Sequence, residues 1–406
     1  MKILYAIIIV LLIISCTQQN SRSRIIQEKE QLENSLIEFK SLDGILQPDS
    51  IQLSDPKTLI ERMEHYNVPG VSLAIIKNNQ IEWTMGYGVQ DVNTGDSVTS
   101  ETIFEAASTS KFITSIIVLY YAQKGLLDLD KNVNEYLELW KVPENEYTKE
   151  EKVTLRRLLS HQAGMPETDF DVNKEDGYPT LINILNGESP AINKPAIPEF
   201  IPGTKWQYSN VSYVLIQFLL EDLTGKTYQQ IAEEIIFSPL EMRNSFFIYP
   251  LNSDKKKQEA MPHDAYGVSH KPAMHLTAFA HGGLMTTPID LAKFAQEVML
   301  SYHGKSNKIL SKKMIDQIFS KECEVDPNRI PFPFYEGLGV FLMNDGKDLL
   351  FTHPGSNLPG LNCWLIGWPE HETAIIIMTN GKNGEILTME IISGFNNLYN
   401  KSQAAS

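Results

Sequence analysis

Cysteine is scarce in this chain, and basic residues are outnumbered by acidic ones. The 406 residues include only three cysteines, Cys16, Cys323 and Cys363, too few for the disulfide framework that stabilises many small secreted domains. Lys and Arg number 35 against 50 Asp and Glu, which gives a formal net charge of −15. Nucleic-acid binding requires a basic patch, so we expect no nucleic acid among the partners.

Metal-binding spacings and internal repeats are also missing. Four histidines lie close together, but they show neither a His-Glu-x-x-His nor a Cys-x-x-Cys spacing: His263, His270, His275 and His281. We therefore expect neither a metal nor another cofactor. About 350 residues follow the first 50, more than one compact core usually organises, so we expect two lobes that share a cleft.

No apolar run is long enough to cross a membrane, which takes about 20 residues. The longest one extends from Ile3 to Ile14 behind Lys2, as in a signal segment. The stretch from Ile13 to Cys16 resembles the lipobox of bacterial lipoproteins, which implies cleavage before Cys16 and lipidation of that cysteine. We then expect a membrane-anchored lipoprotein of the bacterial cell envelope, facing outside the cytoplasm. The alternative is an ordinary secretory signal with an incidental Cys16.

The remaining chain predicts an α+β fold. Residues 17–50 indicate a tether with one amphipathic helix, and residues 51–400 a single catalytic domain. Strand patterns occur near both ends of that domain: a hairpin at residues 71–88, and a second pair of strands at residues 361–367 and 373–379. Helical signals fill the middle, for example Thr154 as an N-cap with a stop at Gly164. We predict a three-layer α/β/α sandwich whose antiparallel sheet is built from both termini. Its α/β lobe would comprise about residues 51–107 and 270–400, and an all-helical insertion lobe about residues 108–269.

The first candidate site is Ser108-Thr109-Ser110-Lys111, where an intensely apolar helix begins. At 100° per residue, Ser108 and Lys111 share one narrow polar edge of that helix. Burial would lower the pKa of Lys111, and the neutral amine could then accept the Ser108 proton. The same spacing at Ser54 and Ser253 falls in polar turns, so context separates the three copies. The alternative is that Ser108 is an N-cap and Lys111 extends to solvent.

Tyr208-Ser209-Asn210 follows a turn-forming stretch and precedes another helix. On an extended segment, side chains at i and i+2 project to the same side and could meet one substrate. A tyrosine beside a lysine cation reaches its anionic form more easily, so Tyr208 is a candidate base or proton relay. Asn210 could accept from Lys111. The alternative is a half-buried tyrosine followed by Asn210 as a helix N-cap.

The third candidate element is His353-Pro354-Gly355-Ser356, after a strand edge. Gly355 would let the backbone approach a ligand closely, and the Ser356 N–H could form an oxyanion hole with the Ser108 N–H. His353 would then face the cleft. A turn with a capping histidine is the alternative.

In this order and at these separations, the three motifs resemble those of the serine beta-lactamase and penicillin-binding protein superfamily. The likeness runs from about Val71 to Asn380 and is closest to the class C branch, which includes D-alanyl-D-alanine carboxypeptidases and esterases. It implies an acyl-enzyme mechanism in which Ser108 attacks a carbonyl, Lys111 and Tyr208 manage the proton, and two amides hold the oxyanion.

One departure from the family pattern narrows the expected substrate. Many family members carry Lys-Thr-Gly where this chain has His353-Pro354-Gly355. A histidine is mostly neutral at pH 7, and Pro354 has neither hydroxyl nor N–H, so a substrate carboxylate lacks its usual partners. We therefore expect a peptidase or esterase acting on a small-molecule or peptide substrate, with weak beta-lactamase activity at most. The alternative is a non-catalytic binder of peptidoglycan fragments, or a beta-lactam sensor, using the same cleft.

Overall fold

The computed structural model describes residues 57–168, 177–272, 277–328, 330, 334–344 and 348–404, with residues 23, 26, 27 and 29–34 near the N-terminus. The chain divides into two compact units, one of Met1–Tyr66 with Glu385–Ser406 and one of Asn67–Gly384. The predicted signal segment and Cys16 lie outside the described residues. Residues 29–33 are helical, within the predicted tether. The predicted division into two lobes stays a prediction.

An antiparallel sheet of eight strands dominates the larger unit. Its order is β2-β1-β10-β9-β8-β7-β6-β5, and two further short strands, β3 and β4, pair separately. The strands are β1 (Gly70–Lys77), β2 (Gln80–Gly88), β3 (Phe104–Glu105), β4 (Met285–Thr286), β5 (Cys323–Glu324), β6 (Tyr335–Glu336), β7 (Phe341–Asn344), β8 (Leu349–Asn357), β9 (Leu361–Trp368) and β10 (Thr373–Thr379).

Both predicted strand pairs are confirmed, as is the α+β fold with a large antiparallel sheet. The hairpin turns at Asn78 and Asn79, whose φ angles of 51° and 55° match a two-residue turn of type I′. Strand β1 also pairs with β10, from Val71↔Thr379 to Ile76↔Ala374. The sheet is therefore assembled from both ends of the domain, as predicted.

Ten α-helices lie within the described residues after residue 57. They are α1 (Leu59–Tyr66), α2 (Ser110–Gln123), α3 (Leu155–Leu159), α4 (Leu181–Asn186), α5 (Asn210–Thr224), α6 (Tyr228–Ala232), α7 (Ser253–Lys256), α8 (Pro288–Tyr302), α9 (Lys312–Ile318) and α10 (Gly384–Ala404). Thr154 caps α3 by accepting from the Arg157 N–H, as predicted. The predicted stop at Gly164 is wrong, because α3 already ends at Leu159 and His161 takes a left-handed φ of 56°.

Helix α2 is held against the sheet by its apolar side chains. The Phe112 ring meets Phe294 of α8 at 5.1 Å and Phe351 of β8 at 5.8 Å between centroids. All three side chains belong to the main cluster of buried apolar residues. Since α2 follows directly on the turn that carries Ser108, this packing fixes the turn relative to β8.

In the smaller unit, Arg62 and the fully buried Glu390 form an ion pair at 2.5 Å.

In the larger unit, Cys323 and Cys363 are both free thiols. Within the described helices, none combines the length and the hydropathy that a membrane crossing requires.

Candidate active site

Ser108 lies in a short 3-10 helix, Ala107–Thr109, immediately before α2. In the fully described stretch from Thr102 to Leu119, it is the one residue that is partly exposed while its neighbours are buried. The preceding Ala107 has a φ of 46°, a left-handed conformation that is costly for a residue with a Cβ. A strained, well-packed turn that presents one hydroxyl is typical of a nucleophile.

The Lys111 side chain is completely buried beneath Ser108. Its Nζ lies 3.1 Å from Ser108 Oγ, 2.8 Å from Asn210 Oδ1 and 2.6 Å from the His281 carbonyl oxygen. The alternative in which Lys111 extends to solvent is therefore wrong. So is the N-cap alternative for Ser108, because the N-cap of α2 is Thr109 and no side chain caps that helix.

Burial holds the pKa of Lys111 well below its usual value, although the nearby Glu336 carboxyl opposes the shift. A neutral amine has two N–H donors and one lone pair. The Asn210 and His281 oxygens can accept the two N–H groups, which leaves the lone pair for the Ser108 hydroxyl. The geometry thus matches a general base in contact with its nucleophile.

Tyr208 is half-buried, and its hydroxyl interacts with the Ser108 side chain. Its ring also lies 4.8 Å from Lys111 Nζ. Burial raises the pKa of Tyr208, and the interaction with Ser108 offsets only part of that shift. The expectation that Tyr208 ionises easily is therefore wrong, because burial disfavours the phenolate and also disfavours the charged form of the neighbouring Lys111. Tyr208 is placed to relay a proton as a neutral phenol.

Ser209, and not Asn210, is the N-cap of α5: its Oγ accepts from the Ser212 N–H and donates to the Pro166 carbonyl at 2.9 Å. The N-cap alternative for Asn210 is therefore wrong, and its carboxamide is directed to Lys111 instead. The Ser209 N–H donates to His161 Nδ1 at 3.1 Å, and the His161 ring lies 4.4 Å from that of Tyr208. His161 thus packs behind Tyr208 and supports the site.

The third motif lies on a strand and not in a turn. Strand β7 pairs with β8 only from Asn344↔Leu349 to Phe341↔Thr352, and residues 353–357 continue past it while paired with β9. This extension runs beside the Ser108 turn, where Thr109 Oγ1 donates to the His353 carbonyl at 2.9 Å.

Gly355 makes this close approach feasible. A Cβ at that position would lie 2.1 Å from the Ala106 carbonyl oxygen and 2.9 Å from the Ser108 nitrogen. Only glycine lets the strand come so near. Ser356, the next residue, is exposed and donates from Oγ to Asn362 Oδ1 at 2.9 Å. Its assignment to the oxyanion hole stays a prediction.

His353 requires a correction, because its side chain is buried, only 1% exposed, and does not face an open cleft. Its ring packs against Phe341 at 5.1 Å, and Nδ1 lies 2.9 Å from the Pro354 carbonyl oxygen. Burial first, and repulsion by any positive charge on Lys111 second, lower the pKa of His353 to about 3. The expected neutral imidazole is therefore confirmed.

Sequence reasoning missed Glu336, a fully buried carboxyl that interacts with Lys111 and Tyr208. A single acid beside Tyr335 has no pattern that distinguishes it from a surface residue. It also missed the His281 carbonyl, because backbone acceptors carry no sequence signal. Among the described residues, no group of three or more His, Cys, Asp or Glu side chains could hold a metal ion.

The fold and these three converging motifs define a serine-hydrolase type of protein. The model of the Beta-lactamase family matches residues 57–389, so the chain belongs to that family. Family membership and fold together support a serine hydrolase type of function.

Two solved structures share the fold. The octameric penicillin-binding protein homologue from Pyrococcus abyssi superimposes with a TM-score of 0.69 at 23% identity, over 84% of this chain and 76% of that one. The penicillin-binding protein from Bacillus halodurans gives a TM-score of 0.66 at 19% identity, over 84% and 98%. These likenesses concern the fold alone.

Among sequence relatives, Protein flp from Staphylococcus aureus strain MW2 is 28% identical over 338 residues, which are 82% of this chain and 63% of that protein. Unguisins hydrolase ungD′ from Aspergillus campestris is 28% identical over 198 residues, or 46% and 34%. The chain thus spans less than two thirds of the length of these relatives.

Proposed function

We propose that this protein is a serine hydrolase that cleaves an ester or amide through an acyl-enzyme on Ser108. The observation that carries the proposal is the contact of 3.1 Å between Ser108 Oγ and a completely buried Lys111 Nζ. A lysine amine is seldom buried without a partner or a task, and here burial favours the neutral amine, which can act as a base.

The proposed reaction begins when Ser108 Oγ attacks the substrate carbonyl. The hydroxyl proton moves to Lys111 Nζ, directly or through the Tyr208 hydroxyl, and the carbonyl oxygen becomes an oxyanion held by the Ser108 and Ser356 amides. When the tetrahedral intermediate collapses, the leaving alkoxide or amine takes the proton from Lys111. Water then attacks the acyl-enzyme along the same proton route and releases a carboxylic acid.

The third motif supports an ester or a peptide as the substrate class. Family members that bind a carboxylate usually present a lysine and a threonine there, whereas this chain presents a buried, neutral His353 and Pro354. A beta-lactam carries a carboxylate that would gain little from these two residues. The similarity to a relative named as a hydrolase agrees with turnover.

An active-site phosphonate tests the nucleophile. We expect mass spectrometry to find one adduct on Ser108, and Ser108→Ala to lose both the adduct and ester turnover. Ser253→Ala is a matched control, because Ser253 opens the exposed Ser-x-x-Lys copy in α7. A Ser108→Ala protein that is still labelled would overturn the assignment.

A second candidate is a binder of peptidoglycan fragments or a beta-lactam sensor, and the altered third motif favours it over an efficient beta-lactamase. Stable acylation without release would support a sensor. Mixing the protein with benzylpenicillin and with a short acyl ester separates the two: a persistent penicillin adduct together with an intact ester favours the sensor, and rapid ester cleavage favours the hydrolase.

We also propose, from the lipobox-like stretch before Cys16, that the protein is anchored by lipid to a membrane of the bacterial cell envelope. Metabolic labelling with a palmitate analogue should mark the full-length chain and fail to mark Cys16→Ser. Equal labelling of both chains would contradict the anchor.

A further inference from the structure

A buried carboxyl lies behind the proposed site and has no role in the mechanism above. Glu336, on β6, is 0% exposed. Its Oε2 accepts from the Trp206 indole N–H at 3.0 Å, and its Oε1 has no hydrogen-bond partner among the described residues. Burying a carboxyl is unfavourable, and an apolar side chain of similar size would usually pack there at lower cost.

Trp206 connects this carboxyl to the site. Its ring lies 6.2 Å from His161, edge to face, and 6.3 Å from Tyr208 between centroids. His161 in turn packs on Tyr208 at 4.4 Å and accepts the Ser209 N–H. The three rings thus form one cluster: Glu336 fixes Trp206 on its outer side, and Tyr208 on its inner side interacts with Ser108.

The charge state of Glu336 agrees with an anchoring role. Burial raises the pKa of the Glu336 carboxyl well above its usual range, and the bond from Trp206 opposes this only in part. Burial thus favours the uncharged acid, which adds no charge to the site. It still offers a carbonyl-type oxygen to the indole N–H.

We propose that Glu336 is a positioning residue for acyl transfer, which acts through its hydrogen bond to Trp206 to hold the Tyr208 hydroxyl on Ser108. The inference rests on the proposed function. A displaced Tyr208 slows proton transfer but leaves the rest of the cleft unchanged. The defect therefore falls on kcat and not on KM.

Three variants and one control test the inference. Glu336→Leu keeps the side-chain volume but removes the oxygen that accepts the Trp206 N–H. Glu336→Gln keeps both the volume and an acceptor oxygen, and Trp206→Phe removes the N–H donor. Glu324→Leu removes an exposed carboxyl from the neighbouring strand β5 as the control. We expect Glu336→Leu and Trp206→Phe each to lower kcat about tenfold or more with KM within twofold, and Glu336→Gln and the control to stay within threefold.

The double variant Glu336→Leu with Trp206→Phe should be no slower than the worse single variant, because both remove the same bond. A Glu336→Leu kcat within twofold of wild type would overturn the inference, and so would a Glu336→Gln as slow as Glu336→Leu. Should Glu336→Leu fail to fold, Trp206→Phe decides alone. The rate at which the phosphonate labels Ser108 separates the proposed hydrolase function from the proposed role of Glu336. A wild-type protein that is not labelled overturns both proposals. Equal labelling rates in wild type and Trp206→Phe overturn only the role of Glu336.

Discussion

Replacing Gly355 by alanine should disable the proposed site while the protein stays folded. The new Cβ would lie 2.1 Å from the Ala106 carbonyl oxygen, 2.9 Å from the Ser108 nitrogen and 3.0 Å from the Thr109 nitrogen. Real Cβ atoms stay beyond 3.0 Å, so β8 and the Ser108 turn must separate by about 0.9 Å, the difference between 3.0 and 2.1.

A misplacement of about 1 Å at reacting groups can cost 10²-fold in rate, whereas overpacking costs about 1–3 kcal/mol of unfolding free energy. We therefore expect kcat/KM for a short acyl ester to fall about 10²-fold in Gly355→Ala, measured beside urea unfolding. Gly282→Ala is a matched control, since its Cβ would meet the same turn at Ala107 but at an ordinary 3.7 Å. A Gly355→Ala enzyme within threefold of wild type would refute the argument that this strand needs glycine.

Three further predictions concern the residues around that turn. Lys111→Arg introduces a permanent cation that cannot accept the Ser108 proton. Ester turnover should therefore fall by about 10³-fold or more at every pH from 6 to 9. A variant that regains activity at alkaline pH would contradict this prediction. In wild type, lowering of the Lys111 pKa should keep kcat/KM high at neutral pH, with a decline only on the acidic side; a profile that rises only near pH 10 would mean an ordinary lysine. Because the pKa of His353 falls from 6.5 to about 3 on folding, the unfolded chain binds more protons between these values. Stability should then decline as the pH falls from 6.5 towards 3, by at most about 1.4 kcal/mol per pH unit from this group. Urea unfolding of His353→Gln should show a shallower decline, and an unchanged slope would argue against a buried neutral imidazole.

The sequence was sufficient for the parts of this fold that depend on local patterns. Alternating apolar residues around Asn78 and Asn79 predict the hairpin, and a threonine before a helical stripe predicts the cap at Thr154, because strand pairing and capping are decided within a few residues. The end of α3 was misplaced at Gly164, since His161 takes the left-handed conformation that a glycine would normally signal.

The three motifs could be recognised from the sequence, but the charge states of the side chains around them could not be predicted. Whether Tyr208 ionises depends on how deeply Lys111 is buried, and that burial is set by chain segments distant in sequence, such as Asn210 and the His281 carbonyl. The imidazole of His353 is likewise hidden by Phe341 from a neighbouring strand. Burial of Glu336 depends on the pairing of β6 with β7 and on the indole of Trp206, which is 130 residues away in the sequence.

These charge states determine what the site stabilises. Burial penalises the ionised forms of all four side chains: it lowers the pKa of Lys111 and His353 and raises the pKa of Tyr208 and Glu336. In the proposed reaction, attack by Ser108 on a carbonyl creates an ammonium on Lys111 and an oxyanion at the same moment. The ammonium is met by acceptors that are already in place, Asn210 Oδ1 and the His281 carbonyl, and by the face of the Tyr208 ring.

Fixed dipoles in a low-dielectric site stabilise developing charge without reorganisation, so these contacts gain strength as the reaction proceeds. A substrate that brings its own carboxylate would place a charge in this site before the reaction begins, with no lysine in the third motif to balance it. An uncharged ester or amide develops its charge only in the transition state, where the arrangement around Lys111 favours it.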